Sequence, residues 1–211
     1  MPEIHARRVE EHHFVLVLSG ISELGGKVMD ALFEAGCDDA TPSLRFGTIY
    51  LTFSREASSL KHAIMSAIRD IQRSGINAEV IYVDQCHLVS QSDIGRRIKR
   101  TRQQVGQYVS GKRGPGNFPG PVCDLSEGNP LWRWSDVSFW LWRNGMVGED
   151  ILKDSRLVAT INSTLELRAQ ERVDPSLVKE VSELLDESSS RVAVSAVSSR
   201  PEEQHKANSS L

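Results

Sequence analysis

The chain has 211 residues, 39% of them hydrophobic and 25% charged, which suits one or two domains with a real core and excludes a disulfide-held mini-protein. The apolar runs are short, the longest being Phe14 to Leu18, so none approaches the ~18 residues of a membrane span. No apolar leader with a small-residue cleavage site follows the opening residues, and the three cysteines, Cys37, Cys86 and Cys123, are too far apart for a disulfide framework or a metal knuckle. Free thiols and a reducing cytoplasm are expected.

The net charge of -3 is unevenly spread. Residues 1–89 carry 8 Lys and Arg against 12 Asp and Glu, residues 90–122 carry 7 against 1, and residues 123–211 carry 10 against 15. The segments are therefore -4, +6 and -5, and a compact basic stretch between acidic flanks is the footprint of a local polyanion contact.

Taken from the N-terminus, His13–Ser19 is apolar and β-branched enough for a buried strand closed by Gly20. Ser22 is expected to cap a helix running to about Ala35, and Gly36 to stop it. Ser43–Phe46 and Thr48–Phe53 read as two strands meeting near Gly47. Ser58 or the preceding loop opens a second helix that ends at Gly75, and Ala78–Asp84 is a further strand. The order β-α-β-β-α-β predicts a ferredoxin-like domain over residues 1–85, with both helices on one face of an antiparallel sheet. Its chemistry is sparse. Asp38-Asp39 reads as a solvated turn, the six histidines lack ligand spacing, and the chain holds no GxGxxG, P-loop or GxSxG pattern, so the reading assigns no catalytic residue, metal or cofactor.

Leu88–Ser110 carries two short helical patterns with hardly a break between them. Ser90 with Asp93 three residues on is a capping pair, Ile94 and Ile98 face inward, and Thr101 can cap a second helix with Val105 and Tyr108 or Val109 inside. Gly95 leaves room where two helices cross closely, and Lys99 falls where the turn favours a positive-φ glycine. Residues 111–122 are too rich in Gly and Pro for regular structure. Leu131–Leu141 then reads as a short strand entering a helix capped by Ser135, with Val137, Trp140 and Leu141 on its apolar face. Most of the four tryptophans are expected to hold this strand and helix against the core.

Three of these elements, in order, are Phe118-Pro-Gly-Pro-Val122, Trp132-Arg-Trp134 and Ser135-Asp-Val-Ser-Phe-Trp-Leu141. Following a candidate recognition helix, they resemble the MerR-like winged helix-turn-helix group, particularly excisionase and AlpA-type phage regulators, over residues 88–141. The resemblance implies an α+β chain with a winged helix-turn-helix over 86–145 that binds double-stranded DNA. The helix at 102–109 would enter the major groove. Arg102 can donate to guanine, and Gln103, Gln104 and Gln107 can pair with adenine edges or phosphates. Lys112 and Arg113 would attract phosphate, with Arg96, Arg97, Arg100 and Thr101 completing the DNA-binding set. Because the hairpin beyond Val122 is acidic at Asp124 and Glu127, backbone contact is expected from Lys112, Arg113 and the Gly114-Pro-Gly116 turn.

Amphipathic helices follow over 146–187, the first through Ile151, Leu157, Ile161 and Leu165, the second opened by Asp174-Pro175 with Val178, Val181, Leu184 and Leu185 inside. Residues 188–211 are Ser-rich and polar and read as a disordered tail. The combined expectation is a non-enzymatic DNA-binding regulator. It would form a homodimer through its N-terminal domain, because the strand Phe14–Leu18 is apolar on both faces. An adaptor docking an acidic protein partner and a mobile-element accessory factor that bends DNA are the alternatives.

Overall fold

A computed structural model describes residues 9–83, 87–123 and 128–198, with side chains through 187. The chain is mixed α+β and divides into two units, residues 1–166 and 167–211.

The first unit begins with β1 (Glu10–Ser19), α1 (Gly26–Glu34), β2 (Ala40–Arg45), β3 (Thr48–Ala57), α2 (Leu60–Arg73) and β4 (Glu79–Val83). The strands form one antiparallel sheet in the order β2-β3-β1-β4, so the longest apolar strand lies inside the sheet and β4 lies at its edge. Alternation along β1 sends Phe14, Leu16 and Leu18 to one face, where their partners on β3 are Phe53, Leu51 and Ile49. The Phe14 and Phe53 rings stack at 5.0 Å. Against this face lies the apolar stripe of α2, Ala63, Ile64, Ala67, Ile68 and Ile71.

Several boundaries differ from the expected ones. α1 starts at Gly26 rather than being capped by Ser22, because adjacent glycines make a poor helix interior; the Gly25 carbonyl instead accepts from Val28 and Met29 at 3.0 and 3.1 Å. Strands β1 and β2 begin earlier, at Glu10 and Ala40, because cross-strand pairing with β3 extends beyond their apolar stretches. α2 is capped by Ser59, whose hydroxyl accepts from the His62 N–H at 3.3 Å.

Asp38 and Asp39 do lie in a turn, with Asp38 exposed, but the Asp39 carboxylate is not left to solvent. It accepts two bonds from the buried Arg55 guanidinium, at 2.6 and 2.8 Å, and Asp70, Ser66 and the Gly36 carbonyl satisfy the remaining donors. A buried guanidinium with all its donors paired is tolerated where a lone one would not be. These carboxylates raise the Arg55 pKa, with burial opposing them.

A second core in the same unit gathers β5 (Leu88–Val89), α3 (Gln91–Arg97), α4 (Arg102–Val109), β6 (Trp132–Arg133) and α5 (Trp134–Arg143) around Val89, Ile94, Val105, Trp132, Val137 and Leu141. α5 needs no Ser135 cap and starts one residue before it. Its first N–H, at Trp134, is taken by the His87 carbonyl at 2.6 Å, which follows from β5 pairing with β6. α6 (Glu149–Val173) serves both cores: Ile151 packs on the second, and Leu157, Val158, Ile161 and Leu165 pack on the first. Between α5 and α6, the buried hydroxyls of Ser138 and Ser155 bond at 2.6 Å.

In the second unit, α7 (Pro175–Ser198) is capped by Asp174, whose carboxylate accepts from the Leu177 N–H at 2.9 Å. The residues expected inside this helix are not buried: Val181, Leu184 and Leu185 are exposed. α7 also reaches into the segment read as a tail, and residues 199–211 lie outside the described residues. Among the described residues no helix is long and apolar enough to cross a membrane.

Candidate nucleic-acid interface

The basic segment folds as two short helices, each started by a reciprocal cap. In α3 the Ser90 hydroxyl accepts from the Asp93 N–H at 3.2 Å, and the Asp93 carboxylate accepts from the Ser90 N–H at 2.9 Å. These Ser90 bonds, with help from Arg96, lower the Asp93 pKa against a smaller opposing effect of burial. In α4 the Thr101 hydroxyl accepts from the Gln104 N–H at 3.2 Å, and the Gln104 side-chain oxygen accepts from the Thr101 N–H at 3.0 Å.

The turn between them is tight for two reasons. Lys99 adopts φ +54, and the Arg100 N–H bonds back to the Gly95 carbonyl at 2.8 Å. A Cβ on Gly95 would stand 2.7 Å from the Arg100 carbonyl oxygen, so only glycine permits this approach. Ile94 and Val105 are fully buried beneath the crossing.

The structure separates the ten candidate residues by role. Arg100, Thr101, Arg102 and Gln103 are exposed together at the start of α4, where the first turn carries no acidic residue and the helix dipole favours an anion. Lys112 and Arg113 are exposed in the loop just past its other end, and Gln107 is half-buried one turn beyond Gln103. Arg96 is exposed but ion-paired with Asp93. Arg97 lays its guanidinium 4.6 Å from the centre of the Trp134 ring, a packing role. Gln104 commits its side-chain oxygen to the cap. Lys99, exposed in the turn, lies among the basic group although it is not one of the ten; its place between Arg97 and Arg100 is the sequence signal for it.

Aromatic side chains fix the loop after α4. Trp140 donates its indole N–H to the Gly116 carbonyl at 2.8 Å, and Trp132 donates to the Pro119 carbonyl at 2.9 Å. Phe118 meets both rings edge-on. Gly114, at φ +90, lies against Tyr108 so closely that a Cβ would come within 2.9 Å of the ring. The Arg113 N–H bonds back to the Gln107 carbonyl at 3.2 Å, so Lys112 and Arg113 project from a loop held on both sides of the Gly114 turn. The chain then returns through a bridge between Cys123 and Leu131, and a groove of about 350 Å³ runs between Ser90–Ser92, Arg102 and residues 128–131. The acidic positions Asp124 and Glu127 lie outside the described residues.

Trp132, Trp134 and Trp140 are buried, in keeping with a core role, whereas Trp142 is exposed. No protein-family model matches the chain, and no curated protein or solved structure matches it either.

Proposed function

We propose that this chain is a DNA-binding protein, a transcriptional regulator acting in the cytoplasm, that reads duplex DNA with α4. The observation that carries the reading is the pair of doubly capped helices crossing at Gly95, with Arg100 to Gln103 exposed in the chain's one strongly basic segment. Two helices with this crossing, an anchored loop and a short strand pair support a winged helix-turn-helix of the MerR-like kind. The strand order β2-β3-β1-β4 supports a ferredoxin-like N-terminal domain.

α4 lies in the major groove with its N-terminal turn against the bases. Arg102 presents a forked donor suited to guanine, and Gln103 and Gln107 present amides able to donate and accept at adenine. Lys99, Arg100, Lys112 and Arg113 neutralise backbone phosphates and set the register. If these four each neutralise one phosphate, log affinity falls with log salt at a slope of about -3.6. Gel-shift titrations of a random duplex library at several salt concentrations test this. Absence of duplex binding at low salt overturns the reading.

Reading a repeated half-site requires two copies, and the N-terminal domain is the proposed assembly element. Its sheet has less need of cover than the apolar strand suggested. Val17, on the face away from Phe14, Leu16 and Leu18, is buried within the chain, and its cross-strand partners are Tyr50 and Tyr82. Thr52, Ser54 and Glu56 on β3 are exposed.

A further inference from the structure

We infer that His87 is a proton-operated catch between the sheet and the second core: neutral, it lets the joint close, and protonated, it drives the joint open. His87 stands where the chain passes from one core to the other, between β4 and β5. Its backbone carbonyl takes the Trp134 N–H of α5 at 2.6 Å, and its ring centroid lies 5.2 Å from that of Tyr82 on β4. Held from both sides, the imidazole leaves Nδ1 buried with no hydrogen-bond partner among the described residues. A neutral imidazole has one N–H and one bare nitrogen, whereas the imidazolium has two donors and a full charge. Nε2 has the Tyr82 hydroxyl at 3.4 Å; Nδ1 has no such neighbour, and a buried unpaired donor on a cation costs more than a buried bare nitrogen.

The charged neighbours do not offset that cost. Arg133 of β6 and Arg97 of α3 are cations, the first acting on His87 through its field and the second lining the same cavity of about 140 Å³. Glu166 of α6 attracts the imidazolium, but less than burial and Arg133 oppose it. Asp154 of α6 also lines the cavity. Burial raises its pKa, with His12 of β1 pulling the other way and Asp150 adding to the rise, so acid neutralises this carboxylate sooner than an ordinary one. Burial first, and Arg133 after it, accordingly hold the His87 pKa below its ordinary value of 6.5.

An open joint exposes the ring and restores the ordinary value. The closed form therefore has the full benefit of the neutral ring above pH 6.5 and loses it as pH falls toward the lowered value. Since one proton is taken up, the ratio of open to closed rises by up to about tenfold per pH unit within that window. Asp154 alone acts in the opposite direction, because the closed joint favours its neutral form, but its ordinary value of 3.8 lies far below the start of the window. Opening loosens the hydrogen bonds nearest the joint, those of the Trp134 N–H to His87 and of the Val83 N–H to Asn162. The second core, α4 included, is then released from the sheet, whether or not α4 reads DNA.

Amide exchange of the full chain by NMR, expressed as protection factors from about pH 7 to about pH 5, tests this together with the titration of the His87 ring. Protection at the Trp134 and Val83 N–H groups should fall by up to about tenfold per pH unit below 6.5, while Ile94 and Val105 inside the second core keep theirs. His87→Phe keeps a ring against Tyr82 and has no proton to gain, so both reporters should become independent of pH in this range. Substitutions at two exposed positions on other elements should move the acid loss in opposite directions: Arg133→Gln reduces it and Glu166→Gln enlarges it. A merely structural role for His87 predicts neither, and thermal unfolding of each variant is the fold control. The proposal is overturned if the His87 ring titrates at or above 6.5, if the wild-type reporters keep their protection throughout, or if His87→Phe loses it in acid as the wild type does. Arg133→Gln and Glu166→Gln shifting the acid loss in the same direction would overturn it as well.

Discussion

Asn162 of α6 binds both backbone groups of Val83: its side-chain oxygen accepts from the Val83 N–H at 2.8 Å, and its amide nitrogen donates to the Val83 carbonyl at 3.0 Å. Val83 ends β4, the edge strand beside β1, and the side-chain amide takes the place that a further strand would fill. All of this is buried, so the pairing cannot be replaced by water without rearrangement. Because α6 also packs on the second core through Ile151, this one amide helps join the sheet to the two-helix unit.

Asn162→Ala should therefore leave a buried N–H and carbonyl without partners. At about 1–3 kcal/mol for each unsatisfied group, a loss of roughly 2–5 kcal/mol is expected in urea unfolding. Asn162→Asp, which keeps the acceptor and loses the donor, should be no better, since it also buries a charge. A change below about 0.5 kcal/mol for Asn162→Ala would show that the joint lies elsewhere.

The turn between α3 and α4 predicts two changes of opposite sign. Gly95→Ala places a methyl 2.7 Å from the Arg100 carbonyl oxygen, a backbone atom that cannot yield cheaply, and should cost about 1–3 kcal/mol. Lys99→Gly relieves a lysine held at φ +54 and should stabilise by up to ~1 kcal/mol while removing one exposed charge from the basic face. Stability and DNA affinity are thus expected to fall together in the first variant and to move apart in the second. Chemical denaturation and gel shifts on the same preparations check both.

The local features of this turn were legible because they depend on neighbours in sequence. Ser90, Thr101, Gly95 and Lys99 each have a conformational requirement that their own segment states. The Asn162 clamp was not legible: a polar residue on an amphipathic helix gives no sign that it will meet an edge strand 79 residues away. The pairing of Asp39 was hidden for the same reason, since its partner Arg55 lies on β3, the far strand of the hairpin, 16 residues on. Gln104 looked like its neighbours Gln103 and Gln107, and only its place three residues after a threonine cap distinguished it. The exposure of Val181 and Leu185 was hidden because helical periodicity reports that a face exists without saying what covers it.

Cys37 and Asp93 are two of the groups whose shifts shape the pH response. Burial pushes the Cys37 thiol up to about 11, above its ordinary value of 9.0, with Arg55 pulling the other way. The folded state therefore holds this proton where the unfolded state releases it. Its stabilising effect is complete below pH 9.0 and is lost as pH rises toward 11. Asp93 has the opposite shift, so α3 should keep its cap above the ordinary carboxylate range and lose stability as pH falls through it. Denaturation midpoints should decline at both extremes, and Cys37→Ala should flatten only the alkaline limb. Thiol labelling of the native protein at neutral pH should modify the exposed Cys123 far faster than the buried Cys37.

The glutamines and the loop cations of the basic segment are expected to fail in different ways. Gln103 and Gln107 lie one turn apart on α4, and replacing either with alanine should remove a base contact, costing roughly 1–3 kcal/mol at one position of the preferred site and little on other sequences. Gln104→Ala breaks the reciprocal cap instead, so about 1 kcal/mol of stability should be lost, with affinity falling equally for matched and scrambled duplexes. Lys112→Ala and Arg113→Ala leave the helix intact and should weaken binding to every sequence, each reducing the salt slope by about 1. Binding isotherms on matched and scrambled sites at two salt concentrations, paired with thermal unfolding, separate the three outcomes. If Gln103→Ala and Gln107→Ala lose affinity equally on both duplexes, α4 does not read sequence, and the basic face serves only to hold a polyanion.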